Sequence, residues 1–138
     1  MRNIKHQFMA FRNGIVADAL RQAGMPYSII FGLQLPQLSE IARSIDPDDK
    51  AQLAQELWAD TNVRESRLLA AYLFPLSMPE DEAVAVAKSV LTREEADILA
   101  FRFLRRLPYA AELAARLEAL PDQLPNYCAA ALRRNLEA

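Results

Sequence analysis

The sequence predicts an all-α fold, an α–α superhelix built from successive helix pairs. The dipeptides Ile41-Ala42, Leu69-Ala70 and Leu99-Ala100 recur at offsets of 28 and then 30 residues, each within an apolar pattern of helical spacing. A repeat of about 30 residues built only from helices is typical of stacked arrays, whose surfaces bind extended partners. With 138 residues, 52% of them hydrophobic, the chain can bury one core, so we expect a single domain over residues 1–138.

The first third of the chain predicts two helices and an apolar connection. The first helix is expected from about Ile4 to Ala23, because apolar side chains recur at helical spacing and Gly24 follows as a C-terminal stop. Residues Met25 to Gln34 are too apolar for a mobile loop and predict a buried connection with a short turn of helix, broken at Gly32. A strand is possible there, but no second strand is available to pair with it. Pro36 suits the first turn of the next helix, which reaches about Ile45.

The middle of the chain predicts three short helices with clear end signals. Acidic residues can cap a helix over Lys50 to Trp58 and complement its dipole. Polar turn residues precede a helix over Val63 to Phe74, which the following proline ends. Ser77 can cap the next helix, which runs to about Val90.

The last third predicts three further helices, for a total of about eight in a HEAT/ARM-like array. Thr92 followed by Glu95 forms a capping box, which opens a helix that reaches about Leu107. Pro108 opens the next helix, and the final helix spans about Asn126 to Leu136. The polar tip of this final helix indicates the solvent-facing end of an array.

Composition excludes several classes of function. Cys128 is the only cysteine and His6 the only histidine, so a disulfide within the chain, a zinc site and a Ser–His or Cys–His catalytic pair are not expected. No phosphate-binding loop and no metal or organic cofactor is predicted. Because no apolar run could span a bilayer and the amino terminus is unlike a signal peptide, we expect a cytoplasmic protein. The formal net charge of −2 disfavours strong non-specific nucleic-acid binding.

The helix over Thr92 to Leu107 carries the most informative acidic residue. At 100° per residue, Asp97 lies at the margin of the buried stripe and near Arg93, whereas Glu95 points the opposite way. Asp97 could therefore line a groove beside packed side chains. Alternatively, it is a surface carboxylate paired with Arg93 at the i, i−4 spacing, an interaction that contributes roughly 0.2–0.5 kcal/mol.

Three other features have both a structural and a functional interpretation. Arg102, Arg105 and Arg106 form the densest basic cluster, which can hold phosphates, although most such clusters are solvated helix faces. Trp58 could stack on a base, but a core anchor at a helix end is the favoured interpretation. Glu65 suits the positive end of its helix and could form a buried bridge to a neighbouring helix.

Three segments together are similar to one known family. The clearest is LAQELWADTNVRESRLLAAYLF at residues 53–74. Upstream, Ile30-Phe31-Gly32 is followed by an apolar pattern beginning at Pro36, and downstream lies LTREEADILAFRFL at residues 91–104, which contains Asp97. Over about Ile30 to Leu107 the chain resembles the DNA alkylation repair family, the HEAT-repeat alkylpurine DNA glycosylases.

The resemblance implies a concave face that grips double-stranded DNA and, in an active member, cleavage of the N-glycosidic bond of alkylated purines without any cofactor. Asp97 would be the catalytic carboxylate that stabilises positive charge on the deoxyribose, with Arg93 and Arg105 near phosphates. The aromatic residue that the family carries one turn before the acid is Arg93 here, and the array is short. We therefore expect a short, divergent and non-catalytic relative that contacts DNA weakly.

The alternative is a protein-interaction scaffold whose concave face takes a partner helix or a second copy of the chain. The two functions differ in the surface that they require. DNA binding predicts several arginines on one face and a steep loss of affinity with salt. A scaffold predicts an exposed apolar patch on the order of several hundred Å².

Overall fold

The computed structural model describes residues 1–137, so Ala138 lies outside the described residues. The chain packs as two compact units, Met1–Phe74 and Pro75–Ala138. The single domain expected over residues 1–138 stays a prediction. The helices of the first unit are α1 (Arg2–Ala10), α2 (Gly14–Gln22), α3 (Leu35–Ser44), α4 (Lys50–Ala59) and α5 (Arg64–Leu73), with a 3₁₀ turn at Pro47–Asp49. The helices of the second unit are α6 (Glu80–Lys88), α7 (Arg93–Arg102), α8 (Ala110–Glu118) and α9 (Gln123–Glu137), with a 3₁₀ turn at Leu104–Arg106.

The all-α prediction is confirmed. Residues 1–137 contain nine α-helices, one more than the eight that were expected. The difference lies at the start of the chain, where the predicted helix from Ile4 to Ala23 was wrong because two helices, α1 and α2, occupy it. Asn13 separates them, and its Oδ1 caps α2 by accepting hydrogen bonds from the N–H groups of Ile15 and Val16 at 3.1 and 3.2 Å. Apolar spacing continues across the break, so periodicity alone does not reveal it.

The first unit is organised around α5, which packs against both α3 and α4. Nine of the ten residues of α5 are buried, among them the polar residues Arg64, Glu65 and Arg67. Buried polar side chains require hydrogen-bonding partners, so the neighbouring segments must supply them. This requirement determines the conformation of the connection between α2 and α3.

The connection between α2 and α3 is partly buried, as expected, but it is extended, and the predicted short turn of helix was wrong. Tyr27, Ile30 and Leu33 are buried, and Ile29 forms an isolated parallel bridge with Val63. Gly32 has a φ of +86°, a left-handed conformation that interrupts the extended run. The segment is thus a packed connection with one bridge.

The second unit shows the contacts between alternate helices that stacked helix pairs produce. Helix α6 packs against α8 and α7 packs against α9, while α8 and α9 also pack against each other. The dipeptides that recur about every 30 residues are buried in both units, namely Ile41, Ala42, Leu69, Ala70, Leu99 and Ala100. Each repeat places a large and a small apolar side chain at a packed helix face, which gives the chain its repeat-like helical fold.

The predicted Thr92 cap of α7 is present, but two other expectations about that helix were wrong. The hydroxyl of Thr92 accepts a hydrogen bond from the N–H of Glu95 at 3.1 Å, and a Glu95 carboxylate oxygen accepts one from the N–H of Leu91 at 2.9 Å. This second bond draws the Glu95 side chain back over the helix start, so it is buried and does not point outward. The helix also ends at Arg102 and not at Leu107, because a 3₁₀ turn follows.

Two helix starts also differ from the predicted ones. Pro79, and not Ser77, occupies the cap position of α6. Helix α9 begins at Gln123 and not at Asn126, because Pro125 is accommodated in its first turn, where a missing N–H costs no hydrogen bond.

None of the helices in residues 1–137 is both long and apolar enough to cross a membrane. No group of three or more His, Cys, Asp or Glu side chains in the same range could hold a metal ion.

Candidate functional site

Asp97 lies on an exposed face of the second unit, where α7 packs against α9. Its side chain is 48% exposed. The hydroxyl of Tyr127 donates to the carboxylate and lies 3.0 and 3.1 Å from its two oxygens. A guanidinium nitrogen of Arg134 lies 3.8 Å from one of the same oxygens. The carboxylate is therefore held by two side chains of α9.

Arg93 lies one turn before Asp97 on α7 and contacts an aromatic ring. Its guanidinium carbon is 4.9 Å from the centroid of the Tyr127 ring, within the range of a cation–π interaction. Asp97 is thus a surface carboxylate, as one interpretation held, but its cation is Arg134. The aromatic residue beside it is Tyr127, which lies 30 positions away along the chain. The sequence indicated Tyr127 only as a helix-packing residue, because no local pattern on α7 points to a residue of α9.

Arg105 lies beside an exposed aromatic ring at the end of α7. Its Nε donates to the carbonyl oxygen of Phe101 at 2.6 Å, and its guanidinium carbon is 4.4 Å from the Phe101 ring centroid. Arg102 approaches the same ring at 5.2 Å. Phe101 itself is 44% exposed. The basic cluster identified in the sequence thus surrounds a solvent-exposed aromatic side chain.

Helical spacing aligns three of these side chains, and Arg102 joins them through its contact with the Phe101 ring. Arg93, Asp97 and Phe101 follow one another at intervals of four residues, which places them along one side of α7. The Arg105 guanidinium extends this row through its contact with Phe101. We call the following set the α7–α9 face: Arg93, Asp97, Phe101, Arg102, Arg105, Tyr127 and Arg134.

The charges on the α7–α9 face are mostly positive. Its four arginines outnumber the single carboxylate of Asp97. Two other arginines of the second unit bind carboxylates directly: Arg133 contacts Glu118 at 2.7 and 2.8 Å, and Arg116 contacts Glu80 at 2.8 Å. The bond to Arg133 lowers the pKa of the Glu118 carboxyl. The α7–α9 face is therefore where this unit combines cationic side chains with aromatic rings.

Cys128 lies next to Tyr127 on α9 and is fully buried. Burial raises the pKa of its thiol to about 12, and the Asp97 carboxylate adds to the effect. In the unfolded chain, the Cys128 thiol ionises near pH 8.5. Because the thiolate then favours the unfolded state, the stabilisation from the neutral thiol is complete below about pH 8.5 and is lost as pH rises toward 12.

We therefore predict that Cys128 resists an aromatic disulfide reagent at about pH 8 in the native protein and reacts at once in denaturant. The free energy of unfolding of the second unit should fall between about pH 9 and 11. The Cys128→Ala variant is the control, since its stability should not show this component of the decline. Rapid labelling of the native protein at pH 8 would contradict the prediction.

A second polar cluster lies inside the first unit and centres on Glu65. This carboxylate is fully buried and accepts hydrogen bonds from the N–H groups of Phe31 and Gly32, at 2.9 and 3.0 Å. It also binds a guanidinium nitrogen of Arg64 at 2.6 Å, and the same nitrogen donates to the carbonyl of Leu33 at 3.0 Å. The expected buried bridge exists, but its partner is the connection between α2 and α3 and not a neighbouring helix.

Arg67 completes this internal cluster. Its guanidinium lies 3.5 Å from the ring centroid of Trp58 and donates to the Trp58 carbonyl oxygen. Trp58 also packs edge-on against Phe74, with ring centroids 5.8 Å apart, so its role as a core anchor is confirmed. Because Arg64, Glu65 and Arg67 are all buried, they can stabilise the fold but cannot touch a macromolecular ligand.

The first unit also exposes several apolar side chains near a shallow cavity of about 310 Å³. Met9 and Ile29, which are 49% and 45% exposed, line the cavity together with Arg12. Ile15 follows Gly14, another lining residue, and is 85% exposed. These exposed apolar side chains are candidate contacts for the scaffold alternative.

Two of the predicted site residues, Asp97 and Arg93, thus contact Tyr127. The third, Arg105, contacts Phe101, which lies on the same side of α7 as Asp97. Such an arrangement can hold phosphates by its cations and bases by its rings. The resemblance to the alkylation repair glycosylases rests on the sequence motifs. Comparisons of the chain with protein-family models, with curated proteins and with solved structures find no match.

Proposed function

We propose that this chain is a non-catalytic, helical-repeat relative of the alkylation repair glycosylases that contacts DNA weakly through the α7–α9 face. The observation that carries the proposal is the row of exposed arginines and aromatic rings on either side of Asp97. Guanidinium groups bind phosphate oxygens, and exposed rings add contact with sugars and bases. The sequence motifs around residues 53–74 and 91–104 support the same function by resemblance.

The charge balance of the chain supports weak binding. Non-specific affinity for duplex DNA rises with the number of phosphates that the protein neutralises. Arg93, Arg105 and Arg134 could neutralise about three, which corresponds to a slope of about −3 in a plot of log affinity against log salt. Such a site acts mainly at low ionic strength, particularly since the formal net charge of the chain is −2.

The surroundings of Asp97 support the non-catalytic part of the proposal. Stabilisation of a cationic transition state requires a carboxylate in a site from which water is excluded. Asp97 is 48% exposed, and both of its oxygens already lie within hydrogen-bonding distance of the Tyr127 hydroxyl. Water and Tyr127 would weaken its field at a deoxyribose. In an active enzyme, Asp97 would be the charge-stabilising residue.

The test is binding of a fluorescent duplex, measured by anisotropy over a range of salt. We expect wild-type affinity to fall steeply with salt and the double variant Arg93→Gln/Arg105→Gln to bind about tenfold more weakly, with a slope reduced by about 2. The matched control is Arg116→Gln/Arg133→Gln, which removes the same charge from arginines that bind carboxylates. Equal losses in the two double variants would contradict a specific role of this face.

Base release from a duplex containing 7-methylguanine tests the catalytic part separately. We expect no release above the spontaneous rate. Release by the wild type that disappears in Asp97→Asn would overturn the non-catalytic proposal. If neither duplex nor single-stranded DNA binds even at low salt, the DNA proposal fails and the scaffold alternative is left, for which the apolar side chains of Met9, Ile15 and Ile29 are candidate contacts.

A further inference from the structure

We infer that Phe101 is a platform on which a nucleobase stacks, so that the α7–α9 face prefers unpaired nucleotides to duplex DNA. This inference rests on the proposed DNA contact and specifies its substrate class. The feature that carries it is an exposed aromatic ring in contact with two arginines and about two helical turns from Arg93, which contacts a second aromatic ring.

Phe101 is not a core residue. Of the two phenylalanines of the second unit, Phe103 is fully buried and Phe101 is 44% exposed. Its neighbour Ala100 is also buried, so α7 has its packed face elsewhere. The ring therefore lies on the solvent side of the helix.

The arginines around Phe101 fit a nucleotide better than an apolar partner. Arg105 and Arg102 lie 4.4 and 5.2 Å from the ring centroid, and Arg105 is anchored by its bond to the Phe101 carbonyl. A base stacked on the ring or on a guanidinium plane would bring its phosphates beside these cations. A purely apolar partner would instead have to bury or displace two charged groups, which is costly.

Asp97 separates the two pairs of aromatic ring and arginine in this site. It lies four residues before Phe101, about 6 Å along the helix, and carries the carboxylate of the face. A guanidinium nitrogen of Arg134 lies 3.8 Å from this carboxylate and offsets its charge, so phosphates can approach both Arg93 and the arginines beside Phe101. The pair of Arg93 and Tyr127 repeats the combination of cation and ring beyond Asp97, so a second base has a place to stack.

The preference for unpaired nucleotides follows from the accessibility of base faces. In a duplex both faces of every internal base are covered by its neighbours, so a ring on a protein surface cannot stack on them. Single-stranded DNA exposes these faces, and stacking is tolerant of sequence because every base has one. Phosphate contacts alone would not distinguish the two forms in this way.

The test compares two fluorescent probes at about 50 mM salt: an oligothymidylate of about 16 nucleotides and a duplex of the same length. We expect the wild type to bind the single strand at least about threefold more tightly. Phe101→Ala should lose roughly five- to tenfold in affinity for the single strand and about twofold or less for the duplex. Phe101→Trp should retain the affinity for the single strand, and the oligothymidylate should quench the added indole fluorescence above the Trp58 background.

Leu76→Ala is the matched control, because Leu76 is another large apolar side chain of the second unit with a similar exposure of 41%. It should bind both probes as the wild type does. If both probes bind and Phe101→Ala weakens them equally or not at all, the stacking inference fails while the DNA proposal stands. If neither probe binds, the DNA proposal fails as well.

Discussion

Replacing Glu65 by glutamine should lower the free energy of unfolding of the first unit by about 3–5 kcal/mol. The carboxylate is fully buried and receives hydrogen bonds from Phe31, Gly32 and Arg64. A glutamine side chain has nearly the shape of glutamate, but it lacks the negative charge that compensates the Arg64 guanidinium. Its NH₂ group would also face N–H donors that now bond to the carboxylate. The variant therefore removes the Glu65 charge from the buried Arg64 guanidinium and leaves at least one of the bonded N–H groups without its Glu65 acceptor.

Urea unfolding followed by tryptophan fluorescence is the suitable measurement, because the single tryptophan, Trp58, lies in the first unit. The control is Glu40→Gln, which makes the same chemical change at an exposed position of α3 and should alter stability by less than about 0.5 kcal/mol. Similar midpoints for the two variants would show that the internal cluster contributes little to stability.

Replacing Gly32 by alanine should destabilise the first unit by about 4 kcal/mol or more, or prevent it from folding. Gly32 has a φ of +86°, and a Cβ atom there would lie 2.3 Å from the carbonyl oxygen of Asn13 and 2.9 Å from the nitrogen of Ala17. Both contacts involve backbone, which cannot rotate away. Because Ala17 N–H donates to Asn13 O, the added methyl group would push apart the first turn of α2.

Gly24→Ala is a closely matched control for this prediction. Gly24 also has a φ of +86°, but a Cβ atom there would meet nothing within 4 Å. Its replacement should therefore cost only the left-handed strain, roughly 1–2 kcal/mol. The difference in unfolding free energy between the two variants isolates the steric contribution, and equal losses would contradict the close approach at Gly32.

Local sequence patterns predicted most helices of this protein and most of its packed positions. The recurring Ile-Ala and Leu-Ala dipeptides are buried in α3, α5 and α7 because helical periodicity brings a small and a large side chain to one face. The break at Asn13 was missed, because the apolar spacing does not change there and the separation depends on the Asn13 cap. Periodicity reports which face is apolar, but it does not report where the chain turns.

The candidate site was predicted only in part. Asp97 and Arg93 were selected on α7, and Arg105 was placed near them, since all three lie on one stretch of sequence. Tyr127 and Arg134 were not placed near Asp97, although they contact its carboxylate. They come from α9, and only the packing of α9 on α7 brings them within reach.

The sequence alone therefore determined the all-α class, the apolar faces of the helices and the cap that opens α7, because each depends on residues a few positions apart. The tertiary structure decided which side chains surround Asp97, why Glu65 is buried and why position 32 requires glycine. Each of these depends on contacts between segments 15 or more positions apart, such as Gly32 with the start of α2 and Glu65 with Phe31. Such contacts leave no periodic pattern in a single sequence, since they depend on how complete helices pack.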